Sequence, residues 1–270
     1  MKLPKFETQK ELFNYLKENK DDLIYEKKET VKYADAYSFS PTILREKTAD
    51  IRKGATGVEE NAESFKVRAV INTTDVLDSH GDVHVKGIWN KTVKENRRMK
   101  HIQEHDMSFR SIIADKDDLK ASVQTYKWRD LGIDKNGTTE ALVFDSNIRK
   151  SRNSYMFEQY KLGNVDNHSV GMRYISVELA VNDKDEEFEE EKAVWDKHID
   201  DIVNKEEAEA RGYFWAVYEA KAIEGSAVPI GSNTITPTLE PKSITQVEET
   251  SAVDKAQVER FNRIINQKIL

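Results

Sequence analysis

Cysteine is absent from this 270-residue chain. That absence removes disulfides, thiolate metal ligands and cysteine nucleophiles, and it agrees with a reducing compartment. Long apolar runs are missing as well. No stretch approaches the roughly eighteen apolar residues of a membrane helix, so no membrane association is expected. The opening MKLPKFETQKE has no apolar region of the kind a secretory signal carries. There is no basic stripe or aromatic-basic platform, and nucleic acid is therefore not an expected partner. No Gly-rich phosphate loop is present. What remains is a polar protein, 38% hydrophobic and 34% charged, long enough for one large domain with extensions or two small ones.

The formal net charge of -7 is unevenly spread: residues 181–211 hold thirteen acidic and five basic side chains. Val194, Trp195, Ile199, Ile202 and Val203 recur there at helical intervals. The segment reads as an exposed acidic loop leading into an amphipathic helix, inserted between two strands. Near the start, Thr8 and Glu11 form a capping-box pattern ahead of Leu12, Phe13 and Leu16. A polar, weakly patterned stretch follows. Near the end, SNTITPTLEPKSITQVEET reads as a linker. Ser251 and Asp254 then resemble a cap before Val258, Phe261, Ile264, Ile265 and Ile269, one apolar stripe along a helix. The expected organisation is a helical and polar extension over 1–62, a core domain over 63–238 with the acidic insertion at 181–211, and a linker plus amphipathic helix over 239–270.

The middle reads mainly as strands. ESFKVRAVINT, LKASVQTYKW, TTEALVFD, HSVGMRYISVELAV and GYFWAVYEAKAI are β-branched, alternating or both. Two helical pieces interrupt them: one from about Gly87 with Ile88, Trp89 and Val93, and one over 151–162 with Gly163 at its C-terminal cap. Many strands, few helices and no regular strand-helix alternation predict an α+β protein, mainly β. The expected architecture is a closed or curled antiparallel β-barrel flanked by helices, with helical extensions at both ends.

Two chemistries compete at KHIQEHD, residues 100–106. If the segment is helical, His101, Glu104 and His105 match the H-x-x-E-H arrangement of an inverted zinc peptidase, which needs a further ligand downstream. If it is extended, His101 and His105 stand about 13 Å apart, from the ~3.3 Å rise per residue, and cannot share a metal ion. His80 and His84 in HGDVH have the same spacing, but Gly81 and the valines favour turn and strand. The other chemistry is nucleophilic. With cysteine absent, serine is the strong candidate, and Ser169 in GNVDNHSVGMRY sits after a helix and turn at the mouth of a strand. Gly171 leaves space beside it for a substrate backbone. Glu224, in AIEGSAVPIGSN, lies at the end of another strand.

The order of these segments, histidine in EHD, serine in HSVGM after a helix ending in Leu-Gly, and glutamate in EGSAV, resembles the prohead maturation proteases of tailed bacteriophages. Those are serine peptidases related in fold to herpesvirus assemblin. Glu224, Ser226 and Val228 match the family's E-x-S-x-V segment. Asp78, Gly81, Asp82 and Gly87 match its D-x-x-G-D opening, and the likeness spans residues 64–237. Gly231, Ser232 and Asn233 stand where the family has Pro-Ala-Asn, and the acidic insertion is longer than the family pattern. The resemblance implies a serine endopeptidase with His105 as general base, Ser169 as nucleophile and Glu224 orienting the imidazole. It implies no cofactor and no metal, an incidental His101, and a structural role for His168. Gly171 and the turn at Gly225 are candidate sources of oxyanion donors. The implied substrates are scaffold, the N-terminal segment of the major capsid protein and the protease itself. The implied setting is the interior of a prohead assembled in the host cytoplasm, with self-association as a homodimer or larger. A non-enzymatic capsid- or scaffold-associated protein that keeps the fold, and the zinc peptidase at 101–105, remain as alternatives.

Overall fold

Two long β-branched segments pair along their whole length and organise the chain: β7 (His168–Val181) and β8 (Tyr213–Ala227) form an antiparallel ribbon from His168↔Ala227 to Val181↔Tyr213. In this computed structural model, which describes residues 3–31 and 58–239, strands predominate and helices flank them, giving a mixed α+β fold. The other edge of β8 carries two short strands in parallel. β2 (Asp82–His84) pairs with Trp215–Val217, and β3 (His101–Gln103) pairs with Gly225–Ala227. The connection between them runs through helix α3 (Asn90–Glu95), and β4 (Ile112–Ala114) continues this sheet antiparallel to β3.

A second sheet has the order β5 (Leu119–Lys127), β6 (Thr138–Arg149), β1 (Ser64–Thr73), β9 (Thr238–Leu239), all antiparallel. Its inner side chains, including Ala69, Ile71, Leu142 and Phe144, pack with Met172, Tyr174, Trp215, Val217 and Ala222 of the first sheet in one core. Each large apolar side chain buried in this way contributes about 1.5–3 kcal/mol. The architecture differs from the expected barrel in two respects. The two sheets are not closed into a barrel, because the outer edge of β5 has no strand partner among the described residues. The first sheet is also mixed rather than antiparallel, since a crossover through α3 delivers β3 to the same edge of β8 as β2, in the same direction.

The N-terminal stretch is more tightly integrated than its polar sequence suggests. Helix α1 (Gln9–Glu18) starts at Thr8, whose hydroxyl accepts from the Glu11 N–H, and it buries Phe13 and Leu16 in the main core. Helix α2 (Lys20–Glu29) was not legible in the sequence. It buries Leu23 and Lys27, and the Lys27 ammonium pairs with Asp82 of β2 inside the protein. The acidic insertion forms α5 (Glu189–His198) and α6 (Lys205–Arg211) between β7 and β8, in the expected place. It is not simply solvated: Glu191 is buried between Lys17 and Lys20, and Phe188 and Trp195 are core residues. The segment 151–162 yields α4 (Ser154–Lys161), with Asn153 accepting from Met156 N–H at its start and Gly163 left-handed (φ 73°) after its end. The near-Gly87 helix begins later than expected, at Asn90, so Ile88 and Trp89 precede it.

The expected linker from residue 232 is in its first part a packed element. Ile235 and Thr236 are fully buried, and β9 pairs with Arg68 and Ala69. Thr and Ser are common in linkers, but here Thr73, Asn233 and Thr236 satisfy one another's polar groups in the interior. The predicted C-terminal amphipathic helix lies outside the described residues.

Candidate active site

KHIQEHD is a strand followed by a tight turn, not a helix, so the helix that H-x-x-E-H requires is not formed. Glu104 and His105 both adopt left-handed backbone angles, φ 51° and 56°. Two successive non-glycine residues in that region cost of order 1–3 kcal/mol each and persist only where surrounding bonds hold them. Those bonds are present. The Glu104 N–H donates to the Ala227 carbonyl (2.9 Å), the Asp106 N–H to the Gln103 carbonyl (2.9 Å), and the His105 N–H to Ser226 Oγ (2.8 Å). Ser226 in turn donates to the Ile102 carbonyl (3.3 Å), so one buried hydroxyl fixes both the end of β3 and the histidine that follows it.

The strained turn delivers the His105 ring to Glu224. Its Nδ1 lies 2.6 Å from Glu224 Oε1, and with Nδ1–H donating to the carboxylate, Nε2 is left as the proton acceptor. Glu224 is fully buried inside β8, slightly before the end of that strand. Burial pushes its pKa up, opposed by the hydrogen bond and charge of His105 and by the Gly171 N–H. Its second oxygen, Oε2, is buried without a hydrogen-bond partner among the described residues. Asp106, the neighbour of His105 in sequence, does not serve the ring. Its carboxylate accepts from the hydroxyls of Ser111 (2.5 Å) and Ser108 (2.8 Å) and from the Ser108 N–H (2.9 Å), which hold its pKa down and fix the 106–111 loop.

Ser169 belongs to the same face. On β7, Val170 and Met172 enter the main core, so Ser169 and Gly171 point the other way. Ser169 stands directly opposite Ser226, and Gly171 directly opposite Glu224. Side chains opposed across an antiparallel ladder have Cβ atoms about 4.5–5.5 Å apart. Ser169 is therefore one side-chain breadth from the hydroxyl that holds His105. A bulge follows at once, where the register slips between Gly171 and Met172, a feature often found beside functional sites.

Gly171 has a different role from the one its sequence suggested. A Cβ there would overlap Glu224 Oε1 and lie 2.8 Å from the carboxyl carbon, so the glycine makes room for Glu224 rather than for a substrate backbone. The two expected oxyanion donors are also committed elsewhere. Gly225 lies inside β8, not in a turn, and its N–H donates to the Lys100 carbonyl (2.9 Å), while the Gly171 N–H faces Glu224.

His101 and His168 are both fully buried and share one hydroxyl. Tyr160 Oη lies 2.9 Å from Nε2 of each ring. His168 Nδ1 is 2.9 Å from the Thr236 carbonyl and must donate to it, so its Nε2 accepts from the Tyr160 hydroxyl. Tyr160 then accepts from His101 Nε2–H, and His101 Nδ1 accepts from Ser146 Oγ at 2.9 Å. Burial holds the His101 pKa well below the usual imidazole value and the Tyr160 pKa well above the usual phenol value, so both of these groups are neutral. His101 is thus a buried tie between β3, β6 and α4, with both ring nitrogens occupied. Among the described residues no cluster of three or more His, Asp or Glu is arranged to hold a metal ion.

Sequence reasoning missed Ser226 as the support of the turn and Tyr160 as the bridge between the two buried histidines. Ser226 was visible within EGSAV but carried no signal of its partner 121 residues away. Comparison of the chain with protein-family models, curated proteins and solved structures gave no match.

Proposed function

We propose that the protein is a serine endopeptidase in which Ser169 is the nucleophile, His105 the general base and Glu224 the group that orients His105. The observation that carries this reading is the 2.6 Å Nδ1–Oε1 bond between His105 and a fully buried Glu224, on the sheet face that also bears Ser169. A buried carboxylate bonded to Nδ1 fixes the tautomer, exposes a basic Nε2 and stabilises the imidazolium that forms when Nε2 takes a proton. Ser169 Oγ attacks the peptide carbonyl as its proton passes to His105 Nε2. The same proton then goes to the leaving amine, and water, deprotonated by His105, releases the acyl group from Ser169.

The resemblance to phage prohead proteases extends this reading. The substrates are then scaffold, the N-terminal segment of the major capsid protein and the protease's own chain, cut inside a prohead. This reading takes the two sheets as a curled, assemblin-like barrel left open at β5 and makes activity depend on self-association. A fluorophosphonate probe tests the core of the proposal. It should label the full chain at Ser169, as mapped by peptide mass spectrometry, and labelling should fall by about 10³-fold or more in His105→Ala, since nucleophile and base act as a unit. Labelling at another serine, or equal labelling of the folded His105→Ala protein, sinks the assignment.

A further inference from the structure

At the edge of the second sheet, beside α3, four cationic side chains line one groove, and none has an anionic partner among the described residues. A groove of about 700 Å³ runs between α3 and β5, lined by Lys94 and Arg97 on the helix side and by Lys116 and Lys120 on the strand side. Among the described residues Asp117 is the one acidic side chain in its lining. Neighbouring lysines are paired, Lys91 with Glu219 and Lys100 with Asp115, yet none of the four groove cations has an ion-pair partner among the described residues.

The groove also follows a strand edge. Among the described residues β5 is the terminal strand of its sheet and pairs only with β6. Leu119, Lys120 and Ala121 all line the groove although successive strand residues face opposite ways, so the groove runs along the edge of β5 rather than over one face. Its apolar wall is formed by Val93, Met99, Leu119 and Ala121. Lys116 opens the short turn that precedes β5, in a left-handed backbone conformation, φ 51°.

We infer that this groove is a docking site for an acidic, extended peptide segment of a partner protein, added as a further strand on the edge of β5. An exposed edge offers main-chain donors and acceptors to an incoming strand, which supplies affinity, while flanking pockets select alternate side chains. Here carboxylates on one face of the incoming strand meet Lys94, Arg97, Lys116 and Lys120, and apolar side chains on the other meet the Val93–Leu119 wall. Lysines on an edge strand can serve only to discourage pairing. That role requires charge on the strand itself, whereas here Lys94 on α3 and Arg97 just past its end supply charge from the opposite wall. Among the described residues the groove lining holds no aromatic ring on which a nucleobase could stack, so a peptide fits it better than single-stranded nucleic acid. The inference does not depend on the peptidase assignment, because no groove residue belongs to the Ser169–His105–Glu224 face.

The probe is a fluorescein-labelled ten-residue peptide alternating Glu and Val, titrated with the full chain and followed by anisotropy. Two altered probes accompany it: one with Lys for Glu, and one N-methylated at alternate residues, which keeps the charge but blocks strand pairing. Binding of the Glu–Val probe should weaken at least ~10-fold in Lys116→Glu/Lys120→Glu and independently in Arg97→Glu, and it should weaken with salt. These side chains are exposed, and urea unfolding of each variant checks that the fold is kept. The Lys and N-methylated probes should not bind. No binding of the Glu–Val probe at millimolar protein overturns the proposal and leaves the lysines as edge protection. Equal binding by folded charge-reversed variants, or by the N-methylated probe, overturns strand addition in this groove. Tighter binding of a single-stranded oligonucleotide, lost in the same variants, overturns the peptide as ligand.

Discussion

Replacing Gly171 by Ala adds one methyl group to the chain, and the structure says where it must go. The new Cβ would lie 2.8 Å from the Glu224 carboxyl carbon and 3.1 Å from its Cγ, and would overlap Oε1 outright. Glu224 is fully buried and cannot swing into solvent without opening the sheet. Overpacking of this kind costs about 1–3 kcal/mol. Displacing the carboxylate also breaks its bond to His105 Nδ1, and a hydrogen bond to a charged group contributes roughly 1.5–3 kcal/mol. The expected loss in urea unfolding is therefore about 2.5–6 kcal/mol, with loss of Ser169 labelling. A shorter carboxylate should relieve the clash. Glu224→Asp alone withdraws the carboxylate from His105, but in the Gly171→Ala background it makes room for the methyl group, so the double variant should be more stable than the sum of the single losses by about 1 kcal/mol or more. Additive losses, or a Gly171→Ala protein that unfolds and labels like the parent, would refute the account of why this position is glycine.

Tyr160→Phe removes the hydroxyl shared by His101 and His168 and takes one buried hydrogen bond from each ring. At about 1–3 kcal/mol for each buried group that loses its bond, stability should fall by roughly 2–6 kcal/mol, well beyond the loss of one ordinary hydrogen bond; a loss under 1 kcal/mol in denaturant unfolding contradicts the network as drawn. Burial raises the Asp75 pKa from 3.8 to about 6 despite Lys86. A raised carboxyl pKa means that the folded state holds the proton more tightly, so this contribution to stability is present below pH 3.8 and lost as pH rises through about 6. Asp75→Asn should therefore match the parent near pH 4 and exceed it by up to about 3 kcal/mol at pH 7. A stability gap that does not widen between those two pH values argues against a buried, costly Asp75 carboxylate.

The elements that could be read from the sequence are those whose signal is local. HSVGMRYISVELAV forms β7 with the limits its alternation suggested, and Gly163 follows α4 as expected, although that helix starts at Ser154 rather than near residue 151. The pairing of His105 with Glu224 joins residues whose order and flanking segments had already drawn attention. Elements held by distant polar partners were not legible. Helix α2 has no continuous apolar stripe: its buried face is Leu23 and Lys27, and the lysine is tolerated inside because Asp82 meets it. An isolated lysine in KDDLIYEKKE carries no mark of that partner. Residues 232–239 read as linker because threonine and asparagine favour loops, yet here those side chains satisfy buried polar groups that the sheet leaves open.

The left-handed pair at Glu104 and His105 shows most directly why local reading fails at this site. Judged by backbone preference alone, Gln-Glu-His-Asp should not place two consecutive residues at positive φ, and a helix or a continuous strand is the better guess. The conformation exists because Ala227, Ser226 and Gln103 each accept an N–H of the turn, and two of those acceptors belong to a strand more than a hundred residues away. The strain costs stability, and so does burying the Glu224 carboxylate with Oε2 unpartnered among the described residues. A chain under no other constraint would relax both, by straightening the turn and replacing the carboxylate with an apolar side chain. Local preference therefore gives way at the point where an imidazole is held against a buried acid, beside a serine on the neighbouring strand. That coincidence of two unfavourable features at one place is an argument for chemistry there that does not depend on any sequence motif.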